Sequence, residues 1–298
     1  MNLLVVGAIA YDSIDTPNGS VSDVLGGSAA YFSVAARFFA PVGVIAAVGS
    51  DFRSESRDLL AKRDIDLRGL EQRRGKTLRW HGRYHADMNH RDTLELTLNV
   101  FEKFAPKLLP DQRRCDYLFL GNISPELQAS VLSQLDNPKL VAADTMTHWI
   151  QHCGTQLREL LSRIDVILLN DEEAHLLSGE SDLLRAGGMI LKWGPKTVII
   201  KRGKSGVLAF SRDTIFAAPA YPLKDVIDPT GAGDAFAGAL MGYLAREEEI
   251  TEAALRTAIL YGSAVASFVV EQFSLDKLLS ISSEDIEARY RALVKVTV

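Results

Sequence analysis

The sequence predicts an α/β protein with a doubly wound, mostly parallel sheet flanked by helices and a small β-sheet lid. Two observations carry this prediction. Short, nearly continuous apolar runs alternate with longer amphipathic runs, as in parallel strands that helices cover on both faces. One segment in the first half of the chain instead alternates between apolar and polar residues with period two, the pattern of a strand with one solvated face.

The element order follows from these runs. Six apolar runs predict the strands of the main sheet: Leu3–Ile9, Val42–Val48, Tyr117–Leu120, Leu140–Ala143, Val166–Leu169 and Val198–Lys201. The intervening stretches predict five helices: Ser28–Phe39, Ser54–Lys62, Pro125–Leu135, Thr147–Leu161 and Asp171–Leu177. After Ala220 the pattern becomes mostly helical, with helices expected at Gly231–Ala245, Thr251–Val270 and Ser282–Val294.

The period-two segment is Lys76–Val100, in which Leu94, Leu96 and Leu98 alternate with polar residues. Turn residues at 87–90 divide it into two strands. With residues 12–25, these strands predict a small separate sheet that closes over the carboxyl ends of the parallel strands. The alternative is an antiparallel edge of the main sheet. We expect residues 1–298 to form one domain, with the lid at about 12–25 and 76–100 inserted in it.

Composition narrows the class of function. Among 298 residues, 33 basic and 38 acidic side chains leave a net charge of −5, without the basic excess of a nucleic-acid surface. No apolar run approaches the roughly 20 residues of a membrane span, and Leu3–Ala10 lacks the basic flank of a signal peptide. Only Cys115 and Cys153 are present, as suits a reducing compartment. We therefore expect a cytoplasmic protein that binds neither nucleic acid nor membrane.

The strongest chemical signal is the run DPTGAGD, from Asp228 to Asp234. Pro229 holds the residue before it in an extended conformation, so a strand ends there, and Gly231 and Gly233 allow a tight turn against a ligand. The helix that follows presents unpaired backbone N–H groups, which bind anions. Asp234 lies in its first turn, placed to accept the proton of an alcohol that attacks a phosphoryl group. The alternative is an ordinary helix start whose dipole Asp234 complements.

This run resembles the C-terminal motif of the ribokinase (PfkB) family of sugar and nucleoside kinases, usually written D-T-x-G-A-G-D, with Pro229 in place of the more frequent Thr. Other family motifs follow the family's order. A second motif resembles Gly26–Tyr31 together with the later Val48–Asp51. A third, the family's N-x-x-E, resembles Asn170–Glu173, and a fourth resembles Val198–Gly206. The resemblance spans nearly the whole chain.

The resemblance implies a ribokinase-like fold and an ATP-dependent kinase that phosphorylates a hydroxyl of a sugar or sugar-like polyol. It implies Asp234 as the catalytic base, with an anion hole formed by Gly231, Ala232 and Gly233. Substrate-binding positions implied by the family are Asp12, Gly26, Gly27, Ser28 and Tyr31. ATP-binding positions are Asn170, Lys201, Gly203, Gly206 and Thr230. Glu173 would bind Mg²⁺ through water, and Asp228 a monovalent cation such as K⁺.

Several positions keep a plainer interpretation. Without the resemblance, Asp12 is equally well a turn or cap residue, and Asn170–Glu173 the start of a helix. Tyr31 stands where sugar kinases of the family commonly carry Asn; its ring would suit a nucleoside base or a cyclitol, or would simply pack in the core. Two further functions therefore stay open: a nucleoside kinase, and a catalytically inactive relative that binds a sugar.

Two expectations concern partners. Relatives often carry a Gly-Ala pair near the C-terminal helices, where this chain has Ser267–Phe273. Glu271 in that segment either supplies a compensating oxygen or is a solvated helix end, so we expect only modest activation by K⁺. Because exposed sheet edges and faces need cover, a homodimer through the lid is a further expectation.

Overall fold

Thirteen strands and eleven α-helices are present in the computed structural model, which describes residues 2–297. The strands are β1 Leu3–Val6, β2 Ala10–Thr16, β3 Gly19–Gly26, β4 Val42–Gly49, β5 Asp66–Arg73, β6 Leu78–Tyr84, β7 Arg91–Thr97, β8 Tyr117–Leu120, β9 Leu140–Asp144, β10 Val166–Asn170, β11 Thr197–Lys201, β12 Val207–Ser211 and β13 Ile215–Ala218. The helices are α1 Ser28–Ala36, α2 Ser54–Ala61, α3 Pro125–Leu132, α4 Thr147–His152, α5 Gly154–Leu161, α6 Asp171–Ser178, α7 Leu183–Leu191, α8 Ala232–Arg246, α9 Glu252–Val269, α10 Asp276–Ser280 and α11 Ser283–Thr297.

The main sheet has nine strands in the order β13-β12-β11-β10-β9-β8-β1-β4-β5. Strand β1 pairs in parallel with both neighbours, with Leu3 opposite Val42 and Tyr117. All pairs are parallel from β11 to β5, and β12 and β13 add an antiparallel edge. The carboxyl ends of seven strands therefore meet at one edge, where ligands bind in sheets of this kind.

Alternate residues of β1 face two different cores. Leu3 and Val5 pack with apolar residues of α1, α8 and α9, whereas Leu4 and Val6 pack on the opposite face with residues of α3, α5 and α7. A strand buried on both faces must be apolar at every position, which is why its sequence is a continuous apolar run. The prediction of a doubly wound sheet is confirmed.

The second sheet has four strands in the order β3-β2-β6-β7. It consists of two antiparallel hairpins, β2–β3 and β6–β7, which are joined by parallel pairing of β2 with β6. The predicted separate small sheet is confirmed, and the alternative of an edge on the main sheet is wrong. Closure of this sheet over a ligand stays a prediction. Every residue of its edge strand β7 is exposed.

Several elements differ from the sequence prediction. The helix expected at 147–161 is divided at Cys153, which leaves the helical region just before Gly154, a weak helix former. Helix α7 was missed because two glycines interrupt its pattern, and strand β5 because it is polar. The short elements β13 and α10 were also missed. No helix within residues 2–297 combines the length and the apolar character needed to cross a bilayer.

Candidate active site

Three polar side chains end three neighbouring strands of the main sheet. Asp144 ends β9, Asn170 ends β10 and Lys201 ends β11. The register places Asp144 opposite Leu168, and Asn170 opposite Lys201. The Lys201 ammonium lies 3.4 Å from a carboxylate oxygen of Asp144, and both side chains are mostly buried. A buried ion pair thus marks the carboxyl edge of the sheet.

The glycine-rich turn before α8 lies between a buried ring and this ammonium. Gly231 caps the helix in the left-handed conformation with φ of +76°. A Cβ on Gly231 would overlap the ring of Tyr31, and a Cβ on Gly233 would lie 2.9 Å from the Lys201 Nζ. The N–H of Ala232 donates to the carbonyl of Pro229 at 3.2 Å, so that group is already used within the turn. The predicted anion-binding turn therefore has a cation beside it.

Asp234 is half-buried in the first turn of α8. Burial raises its pKa to about 7; the nearby Asp144 raises it as well, whereas Lys201 and Arg91 lower it. A carboxyl group with a pKa near neutrality can both accept and release a proton at working pH.

Asn170 and Glu173 form a capping box at the start of α6. The Asn170 side chain accepts from the Glu173 N–H at 2.7 Å, and the Glu173 carboxylate accepts from the Asn170 N–H at 2.8 Å. Their interpretation as a helix start is thereby confirmed. Burial and Asp144 also raise the pKa of Glu173 to about 7, while Lys201 lowers it. Glu173 therefore belongs to the same group of charges as Asp234.

Asp12 lies on lid strand β2 and faces the same charges. Its carboxylate is buried and occupies the space that a side chain at Gly26 would need. Burial raises its pKa to about 7, the Gly27 N–H lowers it, and Asp228 and Asp234 raise it. Asp12, predicted to bind the substrate, and Asp234, the predicted base, are thus close enough for the charge of Asp234 to raise the pKa of Asp12.

Two other predicted substrate positions have different surroundings. The Ser28 hydroxyl accepts from the Ala8 N–H at 3.1 Å, which ties the start of α1 to the loop after β1. Tyr31 is 1% exposed and its ring supports Gly231, so the core-packing interpretation is confirmed for the ring. Its hydroxyl, however, is buried and has no hydrogen-bond partner in the described chain. Burial, and then the nearby charges of Asp12 and Asp228, raise the pKa of this hydroxyl. An unsatisfied buried hydroxyl of this kind is typical of a position that a ligand or a water completes.

Asp228 is 1% exposed beneath the glycine-rich turn. Its carboxylate accepts from the N–H of Thr230 at 2.8 Å and from that of Ser274 at 3.4 Å. Burial raises its pKa. Glu271 pairs with Arg289 and Lys277, so its carboxylate is already occupied by two cations, and it is neither a solvated helix end nor a free oxygen.

The lid reaches this edge of the main sheet at several points. The Thr230 hydroxyl donates to the Tyr84 hydroxyl of β6 at 3.2 Å, and the Asn18 amide donates to the Val226 carbonyl at 2.6 Å. The β6–β7 turn approaches the β11–β12 turn, where a Cβ on Gly203 would lie 3.2 Å from the Asn89 amide oxygen. Gly203 and Gly206 both have positive φ and lie just beyond Lys201 rather than within the charged group.

Three residues of this site were missed by sequence reasoning. Asp144 directly follows the buried run Leu140–Ala143, and an acid at the carboxyl end of a parallel strand was a usable signal. Arg91 and Tyr84 had no such signal, because both lie on lid strands whose position depends on long-range pairing. Arg91 lies directly opposite Tyr84 in the β6–β7 ladder, and its positive charge lowers the pKa of Asp234.

Comparisons with known proteins identify the family of this chain. The profile of the "pfkB family carbohydrate kinase" matches residues 2–280. A cytidine kinase of Thermococcus kodakarensis is 30% identical over 85% of this chain and 91% of its own length. A nucleoside kinase of Methanothermobacter thermautotrophicus is 27% identical over 91% of this chain and 89% of its own.

The fold has solved counterparts as well. A candidate ribokinase II from E. coli, in complex with ATP and Mg²⁺, superposes with a TM-score of 0.79 at 22% identity and covers 98% of this chain and 99% of its own. At that identity the likeness shows the fold alone. With a family match over nearly all its length and a curated relative at 30% identity, the chain belongs to the pfkB family of carbohydrate kinases, ATP-dependent phosphotransferases that act on a hydroxyl of a sugar or nucleoside.

Proposed function

We propose that Asp234 is the general base of this kinase and removes the proton of the acceptor hydroxyl as it attacks the γ-phosphoryl group of ATP. The observation that carries the proposal is the position of this carboxyl: half-buried at the start of α8, with its pKa raised to about 7 and the Lys201 charge nearby. A base works best when its pKa lies near the operating pH.

The turn before α8 supplies the stabilisation of charge. We assign the anion to the N–H groups of Gly231 and Gly233 at the positive end of the α8 dipole, since the Ala232 N–H is used within the turn. The Lys201 ammonium adds a full positive charge next to Gly233. Groups placed in advance around a developing charge cost no reorganisation during the reaction, which is the main source of catalysis in phosphoryl transfer.

A divalent cation at this charged group would take most of its ligands from water and phosphate, because no three acidic, His or Cys side chains within residues 2–297 are arranged to hold a metal ion. Three carboxyls, Asp144, Glu173 and Asp234, lie near two cations, Lys201 and Arg91, so the formal charge of the group is −1 when all three carboxyls are ionised. Carboxylate oxygens are the ligands that Mg²⁺ prefers, usually with several waters kept. We assign Mg²⁺ to Glu173 and Asp144, largely through water. When bound, the ion would neutralise phosphate charge.

ATP and acceptor occupy opposite sides of this turn in our proposal. The ATP side, next to the β11–β12 turn, is lined by five residues: Asn170, Lys201, Gly203, Gly206 and Thr230. Asp12 holds acceptor hydroxyls, which also complete the unsatisfied Tyr31 hydroxyl, and Gly26 and Gly27 leave room for them. Ser28 positions α1 rather than the acceptor. The cytidine kinase and nucleoside kinase among the relatives support a ribose-containing acceptor.

Three further proposals concern closure of the lid, binding of K⁺ and formation of a homodimer, and each rests on a different feature. The Tyr84–Thr230 contact supports the proposal that the lid closes over the site and excludes water from the transfer step. Asp228 is the proposed contact for K⁺, and the engagement of Glu271 elsewhere supports only modest activation. The exposed edge strand β7 is the proposed pairing surface of a homodimer.

One screen tests the proposed function. ADP release is measured with ATP, Mg²⁺ and a panel of sugars, cyclitols and nucleosides, with an acceptor-free control for ATP hydrolysis. We expect release well above that control with at least one class of acceptor. If no acceptor gives release while a sugar still raises the melting temperature, the chain is the inactive sugar-binding relative and the proposal fails.

A further inference from the structure

Three exposed leucines in and just after β7 form an apolar strip that no part of the described chain covers, with a bulge in the β6–β7 ladder at Leu94. Leu94 is 44% exposed, Leu96 52% and Leu98 37%, at alternate positions in and just after β7. Alternating apolar residues normally face a core, and contiguous exposed ones mark a binding surface. The strip is therefore a feature that needs an occupant.

Strand register shows which way this strip faces. Asp12 of β2 lies opposite Trp80 of β6, and Trp80 lies opposite Leu96 of β7. Residues directly opposite one another share a face of the sheet, and neighbouring strands are about 4.8 Å apart. Tyr84, which lies four residues after Trp80 on the same face of β6, contacts the Thr230 hydroxyl of the turn before α8. Trp80 and Leu96 therefore extend from Asp12 along the side of the lid that faces this turn.

The indole of Trp80 is held in a defined orientation. It packs over Gly82, where any side chain would overlap the ring, and its Nε1 donates to the Thr93 hydroxyl at 3.3 Å. The Arg91 guanidinium lies 5.8 Å from its centroid. The ring is thus half-buried and fixed, with Leu96 extending its apolar surface on the next strand.

We propose that Trp80 and Leu96 form a nucleobase platform, so that the preferred acceptor is a nucleoside rather than a free sugar. The inference rests on the proposed function, because Asp12 is taken to hold the ribose hydroxyls. A free pentose bound at Asp12 leaves Trp80 and Leu96 exposed to water. The base of a nucleoside bound there extends over these two side chains, which lie on the two neighbouring strands. Every nucleobase can stack on an aromatic side chain. The platform therefore selects a nucleoside over a free sugar without distinguishing one base from another.

The test compares cytidine, adenosine and ribose as acceptors in wild type and in Trp80→Ala, Trp80→Phe and Leu96→Ser. Leu184→Ser is the matched control, because Leu184 is 54% exposed on α7, away from the lid. We expect wild type to prefer nucleosides. Trp80→Ala should lower kcat/KM for nucleosides by about 10- to 100-fold, the effect expected for loss of one base stack, with ribose unchanged. Trp80→Phe should keep most of the activity, Leu96→Ser should lose several-fold, and Leu184→Ser should match wild type.

Failure of this inference differs from failure of the proposed function. Efficient turnover of ribose with no gain from a base, or an equal loss on ribose and nucleosides in Trp80→Ala, overturns the platform while the kinase stands. Tight nucleoside binding that Trp80→Ala weakens, without ADP release, supports the platform and refutes the kinase. If Leu96→Ser instead converts a dimer to a monomer in sedimentation, a second copy covers the strip and the platform is wrong.

Discussion

Replacing Gly231 by alanine perturbs the anion-binding turn in a way that the structure allows to be quantified. The residue has φ of +76°, which costs an L-residue about 1–2 kcal/mol. Its Cβ would lie 2.3 Å from the Tyr31 ring, where ordinary contact begins near 3.4 Å. Tyr31 is 1% exposed and has no room to yield, so the turn itself has to move by about 1 Å.

A shift of that size should be far more damaging to turnover than to folding. Misplacement of reacting groups by about 1 Å can cost about 10² in rate, so kcat of Gly231→Ala should fall by about that factor. Because the turn is local, we expect the free energy of unfolding to fall by only about 2–4 kcal/mol, from backbone strain and overpacking together.

The assay is coupled ADP release together with a thermal melt of the same sample. Gly188→Ala is the matched control, since a Cβ there meets nothing within 4 Å and the residue lies within α7. It should keep wild-type kcat and melt slightly higher, as expected for Gly→Ala in a helix. If Gly231→Ala is folded and its kcat lies within twofold of wild type, the turn does not position the phosphoryl group.

Three further changes test the electrostatics, the lid and the cation. Lys201→Met should move the acid limb of the kcat/KM pH profile to higher pH, because the pKa of Asp234, about 7 with the ammonium in place, rises when that lowering charge is removed. Lys201→Arg should leave the limb in place, and an unmoved limb in Lys201→Met counts against the assignment. Replacing residues 76–100 by a short Gly-Ser turn should abolish phosphorylation but leave a core that ATP stabilises thermally, whereas an unfolded product would show that the segment is structural. K⁺ should give modestly faster turnover than a bulky organic cation at equal ionic strength, and equal rates would remove Asp228 from any cation site.

The main sheet and the turn before α8 could be predicted because their signals are local. A strand buried on both faces must be apolar throughout, and a turn with positive φ against a ring requires glycine at 231. Helix α7 escaped prediction because Gly187 and Gly188 weaken its pattern, although close packing against Phe210 explains the first of them.

The rest of the site depends on contacts between distant parts of the chain. Arg91 is one of 33 basic residues and lies in a polar segment, and only the pairing of β6 with β7 brings it near Asp234. The leucines of β7 correctly predicted a strand, but their side chains are exposed rather than part of a core. Alternation predicts which residues share a face and leaves open what that face meets.

The role of Asp234 is the central claim, and Asp234→Asn tests it most directly. The amide keeps the shape of the carboxyl but cannot take the proton, so kcat should fall by about 10² or more while ATP still raises the melting temperature. Because burial raises the pKa of Asp234 to about 7, the ionised carboxylate costs stability above that pH, and the variant at pH 8 should melt no lower than wild type. A folded, ATP-binding Asp234→Asn with near-normal kcat would contradict the account and leave this residue as a complement to the dipole of α8.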